Sequence, residues 1–150
     1  MNATTERYLA ATSATDLTEV PHKITQVDLI KASGMSRGNV AVHYLRLISK
    51  ATRTDMERMY SALLYILQLR QIGGDHHQAV TTAMDWLIDP RCKTCDGVGE
   101  VERKEQAYTC RRCKGVKLRG EPTNPAALVL IDYVAGCRET HSGSMRRLLR

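Results

Sequence analysis

The chain has no phenylalanine and a single tryptophan, and aromatic residues make up only 5% of it. Its core must therefore be built from Leu, Ile, Val and Met. No run of 18 or more apolar residues occurs, so no membrane-spanning helix is expected. The opening residues, MNATTERYLAATSATDLTEV, lack the apolar stretch of a secretion signal, and a cytosolic setting follows. No phosphate-binding Gly-Lys-Ser/Thr loop is present, carboxylates are scattered, and no Ser/His/Asp or Cys/His pairing stands out. These absences point away from an enzyme. Cysteine is scarce as well, with five residues in 150, but four of the five fall within one short stretch.

What is present is unevenly placed. The net charge is +6. Residues 1–90 carry nine Lys/Arg and nine Asp/Glu, which cancel, whereas residues 91–150 carry thirteen Lys/Arg against seven Asp/Glu. All the excess positive charge lies in the last sixty residues, as expected if that end meets a polyanion. A solvated basic surface with no partner is the plainer alternative.

The apolar pattern divides the chain. Residues 1–24, rich in Ala and Thr, show weak periodicity and read as a flexible or frayed segment. From Thr25 to residue 89 the spacing predicts a small helical bundle. A short helix starts at Thr25 with Asp28 near its positive end and stops near Gly34. A second runs from about Arg37 to Ser49, burying Val40, Tyr44, Leu47 and Ile48. A third is capped by Thr54 with Glu57 and carries Met56, Met59, Tyr60, Leu63, Leu64 and Leu67 at helical spacing. Gly73-Gly74 ends it. Asp75 caps a fourth, with Val80, Ala83, Met84, Leu87 and Ile88 inward, stopped before Pro90.

After Pro90 the helical periodicity vanishes. Cys92, Cys95, Cys110 and Cys113 form two Cys-x-x-Cys pairs separated by fourteen residues. Two residues between cysteines let both sulfurs of a pair reach one ion from a tight turn, and four thiolates suit a tetrahedral Zn²⁺ site with no position left for water. Gly97 and Gly115 sit two residues beyond each pair, where the backbone must reverse. The insert, with Val98, Val101 and Tyr108 among polar residues, reads as a short hairpin. A thioredoxin-like redox pair would need a βαβ setting that is missing here, and nothing nearby suggests the electron transfer of an iron–sulfur cluster. Structural zinc supplies on the order of 10 kcal/mol of folding free energy to such a module. Cys137 reads as an ordinary small core residue, and His76-His77 as a polar surface pair.

The module spans residues 90–120 and is strongly basic. Arg111, Arg112, Lys114, Lys117 and Arg119 are candidate phosphate contacts, with Arg103 and Lys104 before them. Residues 121–150 open with Asn124-Pro125, a cap followed by proline at the first helical position. One helix carries Leu128, Ile131, Val134 and Ala135 and ends or bends at Gly136. A second starts near Ser142 to Ser144. A helix-turn-helix of this kind would present Ser142, Ser144, Arg146, Arg147 and Arg150 to DNA; a helical hairpin with a basic tail fits the segment equally well. A rival helix-turn-helix at TQVDLIKASGMSRGNVAVHYLRL places Ser33 and His43 where apolar residues belong, so core packing is expected there. The fold class read from the sequence is mainly α: a small helical bundle with an inserted four-cysteine zinc module and a C-terminal helix-turn-helix.

The stretch RCKTCDGVGEV…CRRCKGVKLRGEPTNPAALVLI, with DLIKASGMSRG upstream, resembles the late-gene antitermination protein Q family of lambdoid phages. Co-chaperone cysteine-rich domains share Cys-x-x-Cys-x-Gly-x-Gly but repeat it four times. Here it occurs once intact, at residues 92–99, and once with Lys117 in place of the final glycine. The resemblance implies a cytoplasmic factor in a bacterial host that binds double-stranded DNA near a late promoter. It also implies loading onto paused RNA polymerase holoenzyme and travel with the elongation complex past terminators. It assigns the metal to Cys92, Cys95, Cys110 and Cys113, and DNA contact to residues 111–119 and 142–150. A stand-alone zinc-containing DNA- or RNA-binding regulator is the alternative.

Overall fold

The computed structural model describes residues 3–12, 14, 23–35, 39–103 and 106–149. Among them are six α-helices and one two-stranded antiparallel sheet. The helices are α1 (Ala3–Thr12), α2 (Gln26–Met35), α3 (Asn39–Lys50), α4 (Arg53–Leu69), α5 (His76–Ile88) and α6 (Pro125–Leu148). The strands β1 (Glu100–Arg103) and β2 (Gln106–Thr109) lie between α5 and α6. No helix among the described residues is long and apolar enough to cross a membrane.

Local chemistry sets most of the helix starts. Ahead of α2, the Thr25 N–H and hydroxyl both donate to the Asp28 carboxylate, at 2.9 and 2.8 Å. Asp75 accepts from the Gln78 N–H at 3.0 Å and starts α5, which ends at Ile88 ahead of Pro90. The α4 start differs from expectation by one short step. Thr52, not Thr54, is the cap, and its partner is Asp55 rather than Glu57. The Asp55 carboxylate takes the Thr52 hydroxyl at 2.6 Å, while Glu57 pairs instead with Arg53 one turn away. Of the expected stripe, Met59, Leu63 and Leu67 are buried, while Met56 is partly exposed.

Residues 3–12, expected to fray, instead form α1. Tyr8 and Ala11 are buried there, and α1 packs on α2 and α6. A weakly periodic ten-residue helix cannot hold itself together in water; tertiary contacts stabilise it.

The largest departure concerns the C-terminal segment. Residues 125–148 form one continuous helix, not a helix-turn-helix. Asn124 caps it as expected, accepting from the Ala126 and Ala127 N–H groups at 3.0 and 3.2 Å. The helix then passes through Gly136 and Gly143. A glycine costs a helix interior only about 1 kcal/mol, and the buried stripe on α6 outweighs that. The stripe runs Ala127, Leu130, Ile131, Val134, His141, Ser142 and Met145, and Arg138 bridges its middle by lying 4.9 Å over the Tyr44 ring. Thr140 also donates to the Gly136 carbonyl at 3.0 Å, tying the turns together. Ile131 and Val134 face inward as expected, but Leu130 takes the place expected of Leu128, and Ala135 is exposed.

α6 is the hub of the bundle and touches all five other helices. The core around it comprises Leu45, Met59, Leu63, Leu67, Val80, Leu130 and Val134 with their neighbours. At 24 residues α6 is about 36 Å long. Its first turn follows the module in the chain, and its C-terminal part packs on α2, where Ser33 Oγ is 3.2 Å from His141 Nε2. The rival helix-turn-helix region does form two helices, but α2 packs on α1 and α6, and α3 on α4 and α6. Ser33 points into the core rather than to a turn contact. Residues 36–38 lie outside the described residues.

Candidate metal centre and basic module

The module begins where α5 ends. The Cys92 N–H donates to the Lys117 carbonyl at 2.9 Å and the Arg119 N–H to the Pro90 carbonyl at 2.9 Å. Residues 90–92 and 117–119 therefore run antiparallel as a clasp at the base of the module. Arg119 anchors it to the body through a 2.8 Å ion pair with Asp85 on α5.

Above the clasp the two Cys-x-x-Cys halves have the same backbone. In the first, Asp96, Gly97 and Gly99 have φ of 46°, 79° and 91°; in the second, Lys114, Gly115 and Lys117 have 50°, 84° and 72°. The left-handed positions recur eighteen residues apart, which is the repeat seen in the sequence. Each half closes on itself: the Val98 N–H donates to the Cys95 carbonyl at 2.8 Å, and the Val116 N–H to the Cys113 carbonyl at 2.9 Å. The halves face each other closely. A Cβ added to Gly99 would lie 3.1 Å from the Gly115 carbonyl oxygen, so glycine is required there for two reasons, its φ and the approach of backbone. Lys117 occupies the equivalent left-handed position without that licence.

Between the halves, β1 and β2 form the expected hairpin, with Val101 opposite Tyr108 and Glu102 opposite Ala107. Val101 packs against the cysteines.

Cys92, Cys95, Cys110 and Cys113 are all buried, and their sulfurs lie within 4.8 Å of one another. Cys92 Sγ is 3.9 Å from Cys110 Sγ, and Cys95 Sγ is 3.7 Å from Cys113 Sγ. A disulfide would require roughly 2.05 Å. Four sulfurs around one ion at bonds of roughly 2.3 Å stand about 3.8 Å apart at the corners of a tetrahedron. The observed spacings match the second geometry, and the four residues can hold a metal ion. Backbone amides support the sulfurs. The Gly99 N–H donates to Cys95 Sγ at 3.3 Å. The Thr94 N–H, foremost, brings the Cys92 thiol down to about 7 against the opposing effect of burial, while burial pushes the Cys95 thiol up to about 11. Such a cluster cannot readily carry four negative charges alone; a bound cation would compensate them. Cys137 lies apart from the cluster, half-buried on α6 beside Tyr133.

The basic residues expected to meet DNA fall into three groups. Arg111, Arg112, Lys114 and Lys117 are exposed on the second half of the module. Arg119 is not: its side chain is 23% exposed and paired with Asp85, so it holds the module in place. The last group is at the far end of α6. Arg146 and Arg147 are exposed there, and Ser144 accepts from Arg147 at 3.3 Å. Ser142 is only 1% exposed; as part of the α6 stripe it faces the core, not a groove. Arg150 lies outside the described residues. Sequence reading did not single out Asp85 as the anchor or His141 as a core residue, and neither carries a local signal, since each is defined by a contact distant in the chain.

Compared with known proteins, the chain matches no family model and no curated sequence.

Proposed function

We propose that the bound ion is one structural Zn²⁺ and that the chain is a DNA-binding transcription antitermination factor acting on bacterial RNA polymerase. Zinc is favoured by the donor set: four cysteine sulfurs at tetrahedral spacing suit a soft, redox-inert ion with a closed coordination shell. The zinc holds a module too small to fold alone, and the Arg119–Asp85 pair fixes it to the body.

The observation that carries the functional reading is the placement of charge. Four exposed cations, Arg111, Arg112, Lys114 and Lys117, crowd one half of the module, while the helical body preceding it is charge-balanced. Phosphate contact accounts for the first part. The body then docks on polymerase, as the resemblance to Q proteins implies. With α6 continuous, DNA contact rests on the module rather than on a recognition helix, with Arg146 and Arg147 as a separate cluster. Weak DNA binding suffices, because simultaneous contact with a paused polymerase raises the effective concentration of each partner for the other.

The test is transcription from a template carrying a promoter-proximal pause and a downstream intrinsic terminator, with and without the late-promoter DNA that loads the protein. Read-through rises only with that DNA and persists when competitor DNA is added after elongation begins. Unchanged read-through at saturating protein, with DNA binding intact, would favour a stand-alone regulator instead.

A further inference from the structure

The hairpin between the two cysteine pairs carries an aromatic side chain that its own contacts leave half open to solvent. All four residues of β2 are exposed, and among them Tyr108 is 51% exposed. A half-exposed aromatic ring close in the chain to a cluster of cations offers a face on which a base can stack. Its setting is also specific. Tyr108 stands directly opposite Val101, so the two side chains share one face of the hairpin, and Val101 is anchored on the cysteine cluster. The Tyr108 hydroxyl donates to Gln106 Oε1 at 2.6 Å, which restrains the ring from its far end. Side chains alternate along a strand, so Glu100 and Glu102 project from the opposite face. The ring is thereby separated from the acids of β1. Two residues beyond it the chain enters the second cysteine turn, where Arg111, Arg112, Lys114 and Lys117 are exposed.

We infer that Tyr108 is a stacking platform for one base of an unpaired DNA strand whose phosphates are held by the neighbouring Arg111 and Arg112. The inference rests on the reading that this module binds nucleic acid, and deepens it by naming the form of the ligand. In a duplex both faces of a base are already covered by its neighbours, so an isolated ring has nothing to stack on except at an end. An unpaired base offers a free π-face, and aromatic rings set among cations are the usual means of holding single strands. The proposed role supplies such a strand, since a paused transcription complex holds DNA open.

The experiment is fluorescence anisotropy of the zinc-loaded full chain with labelled oligo(dT), a blunt duplex and oligo(rU). Tyr108→Leu keeps apolar bulk over Val101 but removes the ring; Tyr108→Phe keeps the ring. Tyr108→Leu weakens oligo(dT) binding by roughly 5- to 150-fold, Tyr108→Phe binds as the unaltered chain does, and duplex affinity is unchanged. Wild-type affinity of Tyr108→Leu for oligo(dT), an equal loss on duplex, or tenfold tighter binding of oligo(rU) than oligo(dT) would each overturn the proposal. Arg111→Ala separates the two levels. If it weakens binding while Tyr108→Leu does not, only the stacking platform fails; if no nucleic acid binds at all, the parent reading fails with it. Photocrosslinking of 5-iodouracil-substituted oligo(dT) to the unaltered chain needs no variant to fold: the crosslink maps to Tyr108, and a crosslink confined to other residues refutes the platform.

Discussion

Gly136→Ala separates the continuous α6 from a helix-turn-helix by the sign of one number. Gly136 lies in the interior of α6, is not among the glycines with positive φ, and has open space where a Cβ would go, with nothing within 4 Å. Alanine there meets no steric cost, and the gain is the difference in helix propensity, about 0.8–1.0 kcal/mol. For a domain of this size each kcal/mol moves Tm by roughly 2–4 °C, so Gly136→Ala should raise Tm by about 2–4 °C. Gly143 is equally open, and Gly136→Ala with Gly143→Ala should give about twice the shift, since the two sites are separated by two turns and do not touch. Had the first helix ended at Gly136, the residue would take the left-handed conformation usual just past a helix end, and alanine would destabilise instead. Thermal denaturation followed by circular dichroism reads the result. A loss of stability in Gly136→Ala would refute the packing argument that carries α6 through the glycine.

Arg119→Ala should leave the salt dependence of DNA binding unchanged, because that side chain is spent on Asp85, whereas Arg111→Ala should flatten the slope of log K against log[salt] by about 0.9 from a starting value near about −3.6 for four phosphates. Lys117→Gly should stabilise the module by about 1 kcal/mol, because Lys117 holds a φ of 72° that glycine adopts freely, while weakening DNA binding through the lost charge; a destabilised module would show that the left-handed position is not strained. Burial holds His141 below its ordinary pKa, so the unfolded chain takes up the proton first. Its contribution is complete above the unfolded value of about 6.5 and is lost as pH falls from there through the lower folded value. The urea midpoint should drop as pH falls from about 7 to about 5, less steeply in His141→Asn, and an unchanged slope in that variant would remove His141 from the account.

Local signals in the sequence were reliable in most places where the deciding interaction was local, the exception being the Thr54–Glu57 cap, displaced by the equally local Thr52–Asp55 pair. The Thr25 and Asp75 caps, the stop before Pro90 and the hairpin between the cysteine pairs all depend on residues within a few positions of each other, and each is in the structure. The four-cysteine cluster was equally legible, because its spacing is the geometry. The α6 reading failed for the opposite reason. Gly136 and the polar run Glu139 to Ser144 look like a turn, and packing of the buried α6 stripe, with contacts to Tyr44 and Ser33 far off in the chain, holds the helix through them. The same contacts turn Ser142 from an expected DNA residue into a core residue. Arg119 shows the limit of charge counting: it adds to the basic total yet spends its charge on α5. Lys117, noted as the defect in the second Cys-x-x-Cys-x-Gly-x-Gly, proves to sit at a φ that its glycine counterpart adopts without strain.

The account turns on the four cysteines holding one metal ion that shapes the basic module. Elemental analysis of purified, chelator-washed protein tests this most directly, run beside Cys110→Ser and Cys137→Ser. The account predicts one zinc per chain in the unaltered protein and in Cys137→Ser, with zinc lost and residues 91–119 unfolded in Cys110→Ser. Metal-free protein whose module remains folded, or a Cys110→Ser variant that binds zinc with undiminished affinity, would contradict it.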